Sequence, residues 1–339
     1  MAIRWAEAKG KALFLMEYAY SGSQGKDAMQ EKRGGISGST VKLVGIITML
    51  IDHFAAAVLA RILIRMSLSG QWSEPLYFTY NCLRMVGRLG FPIFCFLLVE
   101  GFGKTRSRKK YALRLGMFAL ISEVPFDLAF NAEVLEFGYQ NVYFTLFLGM
   151  LTLCTYEFLA GHRLPAAVEW VLCAAGAVLF GYFLKQQFLP QIHFEREEIR
   201  RLVFPAVCLW VFLLLVIYGW RVGWDKMRRV GTNLTALSLF MLLADFMKTD
   251  YSGMGVLTIT VIYILRSSNV LAMAGGCVVL TFTALNELPA FFTLIPIAGY
   301  NGKRGLKLKY FFYVFYPAHL LLLWLAAYFM GLASISVVG

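Results

Sequence analysis

Apolar stretches of close to twenty residues follow one another along most of this chain. They fall at roughly 41–63, 84–102, 111–130, 141–160, 165–184, 202–219, 232–247, 252–265, 269–285, 287–299 and 309–330. A run of that length matches the about 20 residues a helix needs to cross a bilayer core about 30 Å thick. No water is available there to satisfy backbone groups, and a helix satisfies them within itself. The pattern predicts an all-α, polytopic transmembrane helical bundle of about 10–11 helices. The balance of 59% hydrophobic and 15% charged residues agrees, since a soluble domain is about half apolar and about a quarter charged. The segments at 252–265 and 287–299 are short, so tilted, re-entrant or half-helices are expected there.

Residues 1–40 form a lead-in, flexible or lying on the membrane surface. Its "KALFLMEYAY" is too short for a cleaved signal and is interrupted by Glu17. Residues 41–330 are expected to make one bundle, with 331–339 a short tail. The net charge of +12 does not point to nucleic acid, because no aromatic–basic module accompanies it. The Lys and Arg residues gather instead in short loops: "KTRSRKKYALR", "RVGWDKMRR", "YNGKRGLKLK" and the lead-in. Counting eleven crossings from a cytoplasmic N-terminus puts all four on one side, whereas facing loops such as "NAEVLEFGYQ" are poor in Lys and Arg. An inner (plasma) membrane protein with its N-terminus in the cytoplasm follows, in contact with membrane lipids. One mixed-sign stretch, "KQQFLPQIHFEREEIRR", reads as surface-lying. The six cysteines are scattered, without C-x-x-C or Cys/His ligand spacing, so neither a disulfide framework nor a metal site is expected.

Ionisable residues interrupt the apolar blocks, where each is costly unless compensated. "ITMLIDHFAAAVLA" places Asp52 and His53 together about twelve residues into the first block, about 18 Å deep at 1.5 Å per residue. His319 lies about half-way along "YFFYVFYPAHLLLLWLAAYF". Two histidines at matching depth on the first and last long helices could face one another across a cavity; equally, His319 could bond a carbonyl freed by Pro317. Helix neighbours point about 100° apart, so Asp52 need not touch His53 and could grip an arginine instead. Arg84, Arg88, Glu100, Glu123, Asp127, Asn141, Asp245 and Asp250 complete the polar set. Structural salt bridges account for many of them, for example Arg88 with Asp127 or Glu123.

A neutral imidazole accepts a proton from an amine or hydroxyl near neutral pH. The sequence has no G-x-S-x-G or H-E-x-x-H motif, so direct transfer with His53 as base is simpler than a covalent intermediate. Arg106, Arg108, Lys109, Lys303 and Arg304 lie in the basic loops, where they serve orientation, contact anionic lipid, or dock a phosphorylated donor.

"MLIDHF", "GRLGFPIFCFLLVEGFGKTRSRKKYALRLGMFALISEVPFDLAF", "QNVYFTLFLGML", "DYSGMGVLTI" and "YNGKRGLKLKYFFYVFYPAHLL" together resemble the TraX family. Its founding members are named as F-type pilin N-acetylases. The resemblance spans 41 to about 325. It implies a membrane acetyltransferase that uses acetyl-CoA as co-substrate and needs no metal. Onto this chain it carries Asp52 and His53, joined by His319, as catalytic residues, and Arg88, Glu100, Asp127 and Asn141 in other roles. Glu100 joins the basic-loop residues as donor-binding, whereas Arg88, Asp127 and Asn141 support the site or hold the acceptor. The acceptor is an exported peptide, pilin-like chain or surface glycan, and a homodimer is among the assemblies expected. The donor's thin pantetheine arm is comparable to half of the roughly 30 Å core, so a nucleotide held on the basic loops presents its thioester near His53. Two rival readings remain: a proton-coupled transporter or flippase, and a non-enzymatic appendage-assembly protein. The absence of any internal repeat weighs against the first.

The charge pattern yields a first prediction. In a cysteine-less background, Arg106→Cys and Glu136→Cys should react with impermeant thiol reagents from opposite sides of the membrane. Labelling of both from one side would overturn the orientation.

Overall fold

The structure is a computed structural model that describes residues 35–192, 197–306 and 309–337. Every named element among them is helical, as the apolar blocks predict. The elements are α1 (Gly38–Leu68), α2 (Glu74–Gly87), α3 (Gly90–Lys104), α4 (Arg108–Phe130), α5 (Val142–Gly161), α6 (Ala166–Phe188), α7 (Glu197–Val222), α8 (Trp224–Phe246), α9 (Ser252–Ile264), α10 (Asn269–Thr283), a 3-10 segment (Leu285–Thr293) running into the single turn α11 (Leu294–Ala298), and α12 (Lys309–Phe329). Five helical stretches are long and apolar enough to cross a membrane: Gly38–Leu68, Glu74–Lys104, Val142–Gly161, Ala166–Phe188 and Arg200–Val222. The chain is therefore a multi-pass membrane protein. The lead-in lies outside the described residues up to 34, as does part of the mixed-sign stretch, 193–196. The rest of that stretch includes a 3-10 turn, Leu189–Gln191, and the first residues of α7.

Local chemistry explains where helices start. Ser37, Ser73, Ser107 and Ser268 each accept a bond from a backbone N–H in the first turn of the helix that follows, satisfying donors that have no intrahelical partner. Ser73, with Pro75 in the first turn, starts α2 ten residues before the apolar block at 84. The polar "EPLYFTYN" hides that extension from a hydropathy reading. α1 likewise runs on to Leu68 and contains a π turn, Ala55–Leu59, in which the Ala60 N–H bonds the Ala55 carbonyl. A turn of this kind, with one residue more than an α turn, occurs mostly at functional sites.

The chain divides into two compact units, one of residues 31–151 with 244–339, the other, in its described part, of residues 152–243. In the second unit α6 and α7 pack as a hairpin around Cys173, Ala177, Val211, Leu215 and Met227. Close packing requires glycine at 231, where a Cβ would stand 2.3 Å from the Cys173 sulfur. Such small residues let membrane helices approach.

The first unit holds the residues of interest. α1 packs on α2 and α3, and α12 packs on α4. α9 runs parallel to α3: Phe91 stacks on Tyr251 at 3.7 Å and Phe102 meets Tyr263 edge-on at 5.7 Å. α9 has only 13 residues, about 20 Å at 1.5 Å per residue. Its first residues therefore lie beside the start of α3, half-way along the Glu74–Lys104 span. α9 and α10 form a hairpin that reaches half depth, the half-helix form expected for the short segment at 252–265. The chain entering α9 is tied down: Asp250 N–H bonds the Gln140 carbonyl at 2.9 Å, and Gln140 N–H bonds the Lys248 carbonyl at 3.0 Å. Pro289 and the 3-10 geometry of Leu285–Thr293 break the other short segment.

Arg61 is completely buried and is held by backbone carbonyls. It donates to the carbonyls of Ala57 (2.7 Å), Ala129 (2.5 Å), Leu128 (3.3 Å) and Ile335 (2.7 Å). One side chain thus ties the π turn, the end of α4 and the C-terminal segment together, and Val337 N–H adds a bond to the Phe130 carbonyl at 2.8 Å.

Candidate functional site

His53 is the middle residue of the 31 in α1, and His319 is the middle residue of the 21 in α12. Their rings meet. Nδ1 of His53 lies 2.7 Å from Nε2 of His319, and the ring planes are 6° apart. Nδ1 of His319 lies 2.8 Å from the Phe315 carbonyl oxygen. A carbonyl only accepts, so His319 carries its proton on Nδ1, and in the neutral ring Nε2 must accept. His53 is then the donor through Nδ1, which leaves its Nε2 lone pair free. The arrangement is a base held in one tautomer by a second imidazole, with a backbone oxygen behind it. His319 thus bonds His53 directly rather than across a cavity, and the carbonyl it holds is that of Phe315, not the Tyr313 carbonyl that Pro317 leaves without its helix donor. Phe130 and Tyr316 lie edge-on to His53 at 5.5 and 5.8 Å, and Phe315 stacks on His319 at 4.8 Å.

Asp52 does not touch His53 and pairs with Arg84 at 2.5 Å. Gly87 makes this possible, because a Cβ there would stand 2.1 Å from Asp52 Oδ1. Arg88 pairs with Glu287 at 2.7 Å, which corrects the expected pairing with Asp127 or Glu123: the 3-10 segment Leu285–Thr293 brings in an acid nearly two hundred residues away in sequence. Asp127 instead accepts from the Asn131 side chain and the Glu136 N–H, both at 2.9 Å, and so finishes α4. Asn141 is saturated. Its amide donates to Glu123 and, at 2.8 Å, to the Ala119 carbonyl, and its oxygen accepts from Tyr143 N–H at 2.9 Å. With no free donor, Asn141 fastens α5 to α4 and is not available to polarise a substrate carbonyl.

At one end of this unit the start of α1, the α3–α4 loop and the segment before α12 enclose a cavity of about 690 Å³, within the 300–1,000 Å³ usual for small-molecule sites. Its lining includes Lys42, Lys104, Arg106, Arg114 and Arg304 against one acid, Glu100. Glu100 accepts from Lys104 at 2.7 Å and from the Tyr300 hydroxyl. Of the basic-loop residues singled out in the sequence, Arg106 and Arg304 line the cavity. Arg108, Lys109 and Lys303 are outside the lining; the Arg108 guanidinium lies 4.6 Å over the Phe102 ring. Lys104 and Arg114, the first and last residues of the basic string "KTRSRKKYALR", also line it, as does Lys42 of the lead-in charges. Lys42 and Arg114 are each embedded in a helix, where a basic residue inside an apolar block was the available signal. The cavity points toward the histidines: Tyr143 lines it, packs edge-on against Tyr316 at 5.0 Å, and Tyr316 packs against both imidazoles. From Lys42 to His53 is eleven residues of α1, about 16 Å.

The family model described as TraX protein matches residues 37–217 and 204–327. The chain belongs to the TraX family. This TraX chain is also 28% identical over 304 residues to the probable fimbrial assembly protein FimC, serogroup H1, of Dichelobacter nodosus, covering 86% of this chain and 95% of that protein. No solved structure matches it.

The hydrogen-bond chain predicts a spectroscopic outcome. In ¹⁵N NMR of histidine-labelled protein at neutral pH, His53 and His319 should both carry their proton on Nδ1, and His319→Ala should change the His53 signal. A proton on Nε2 of His319 would break the proposed order of donors.

Proposed function

We propose that this TraX-family chain is a membrane acetyltransferase. It moves an acetyl group from acetyl-CoA, bound at the basic end, to an amine or hydroxyl of an exported peptide or surface glycan. The observation that carries the reading is the His53–His319 pair at the midpoints of two helices, with a basic cavity leading toward it. The relative named as a fimbrial assembly protein favours a pilin-like peptide as acceptor. The basic end is then cytoplasmic, facing the donor, in the inner (plasma) membrane.

The cavity fits a donor of this kind. Five cations suit the phosphates of CoA through charge-assisted bonds, and Tyr111, Tyr143 and Tyr313 line its aromatic part. The arm has about 16 Å to cover, the length of α1 between Lys42 and His53. At the histidines, Nε2 of His53 takes the acceptor's proton as its nitrogen or oxygen bonds the acetyl carbonyl carbon. The C–S bond breaks and the proton passes from Nε2 to the departing thiolate. The products are acetylated acceptor and free CoA thiol. During the transfer His319 and the Phe315 carbonyl spread the charge of the imidazolium, which has no carboxylate beside it. Acidification opposes catalysis, because a protonated Nε2 cannot act as base.

A second reading, proton-coupled transport, draws on the half-depth α9–α10 hairpin, since broken helices at mid-membrane are common in transporters. Binding of acetyl-CoA separates the two.

Two outcomes test the enzyme. His53→Ala should lower acetyl transfer by about 10²–10⁴-fold while leaving CoA affinity, measured by calorimetry on the purified protein, nearly unchanged. Wild-type turnover in that variant would sink the assignment. Lys42→Gln with Arg114→Gln, or Arg106→Gln with Arg304→Gln, should weaken CoA binding by about 1–3 kcal/mol per lost contact, whereas Lys109→Gln should not. Equal affinity in all of these would make the cavity cations orientation signals only.

A further inference from the structure

A second cavity, of about 300 Å³, lies at the far end of α1 from the basic one. Four apolar side chains, Ile62, Met66, Met330 and Leu332, line it beside Arg65 and Gln71. The chain is shaped to make this groove. Gly331, with φ 67°, ends α12, and Leu332 N–H returns to the Ala327 carbonyl at 2.8 Å, a glycine-based helix stop. That turn folds Leu332 back, 3% exposed, against the end of α1. On the other wall, Gln71 N–H bonds the Met66 carbonyl at 2.8 Å and holds the chain close after α1 ends.

Arg65 is what the groove holds unspent. Arg61, one turn earlier, is buried and gives its donors to four carbonyls. Arg65 is exposed, gives the Gly331 carbonyl one long bond of 3.4 Å, and makes no ion pair among the described residues. No acid is among the described lining. A guanidinium carries five N–H donors in a fork that fits phosphate oxygens, so most of this one's capacity faces outward, and Gln71 adds an amide donor beside it.

Depth says what meets it. Arg65 follows His53, the middle residue of α1, by twelve residues, about 18 Å along the axis. Half of a hydrocarbon core about 30 Å thick is about 15 Å, so the guanidinium stands where lipid phosphates begin. The neighbouring residues agree: Leu68 and Phe329 are 81% and 83% exposed, which suits lipid. Trp72 is half exposed, with its Nε1 bonded to Glu74 at 2.8 Å, the amphipathic placing of an interface tryptophan.

We propose that this groove binds one phospholipid, in the leaflet opposite the basic cavity. Arg65 and Gln71 hold its phosphodiester, and Ile62, Met66, Met330 and Leu332 hold the start of its chains, the two methionines adapting to their shape. The bound lipid bridges the ends of α1 and α12, the helices that carry His53 and His319. This holds whatever reaction those histidines perform.

The test is native mass spectrometry of the purified full chain in detergent. It is titrated with dioleoylphosphatidylglycerol, with dioleoylglycerol, which has the chains without the phosphate, and with glycerophosphate, which has the phosphate without the chains. The phospholipid should bind about ten-fold more tightly than either, the worth of one charge-assisted contact. Arg65→Gln should remove one bound phospholipid per chain, and Arg65→Lys should restore part of the binding. Met66→Trp, which fills the groove without changing its charge, should weaken the phospholipid too, so that misfolding of one variant does not decide the matter. Arg106→Gln with Arg304→Gln, at the other end of the unit, should keep this lipid. Equal binding of dioleoylglycerol or of glycerophosphate overturns the proposal. So does unchanged stoichiometry in folded Arg65→Gln and Met66→Trp, or a loss confined to the Arg106→Gln, Arg304→Gln variant, which would put the lipid in the basic cavity.

Discussion

A polar group half-way through a bilayer has no water to turn to, so each must find its partner inside the protein. This constraint shapes the first unit more than any single packing contact. His53 reaches His319, and His319 reaches a carbonyl one turn back. Arg61 spends its donors on four carbonyls from three parts of the chain. Asn141 uses all of its amide. Most mid-depth groups are thereby locked; Asp52 Oδ1 and Glu287 Oε2 are among the few described ones that are not.

The same unit separates two environments. The cavity at one end is basic and open to large anions, whereas the histidines are walled by Phe130, Phe315 and Tyr316. Between them stand only the rings of Tyr143 and Tyr316. A charged ligand head can remain where charge is tolerated while a thin, neutral part goes further.

Much of this was legible in the sequence, for identifiable reasons. Apolar block lengths gave the all-α membrane class, and the 1.5 Å rise put His53 and His319 at one depth before any contact was known. That Asp52 might hold an arginine followed from the 100° between helix neighbours; that the arginine is Arg84 did not, because the polar start of α2 carries no apolar signal. Arg88 was assigned to the wrong acids because its true partner, Glu287, arrives on a 3-10 segment whose position depends on tertiary packing. Asp127 and Asn141 entered the candidate site through the family resemblance, and what the fold shows of them is a set of local bonds. Their positions near the end of α4 and the start of α5 fit the structural tasks they perform. Lys42 and Arg114 were counted with the charges that orient the chain, and their place in the cavity lining follows from the helices that carry them.

The π turn at Ala55–Leu59 has an effect on how this stretch can vary. It holds one residue more than an α turn, so everything beyond it is rotated by about 100° relative to an unbroken α-helix. His53 lies before the turn and Arg61 after it, and each must point at its own fixed partner. The length of this short stretch, rather than its composition, sets the angle between them. A chain of this family that lacked one residue here would differ by a single gap in an alignment, easily dismissed as noise. Its α1 would nonetheless present one face correctly and the other a quarter-turn and more away from its target.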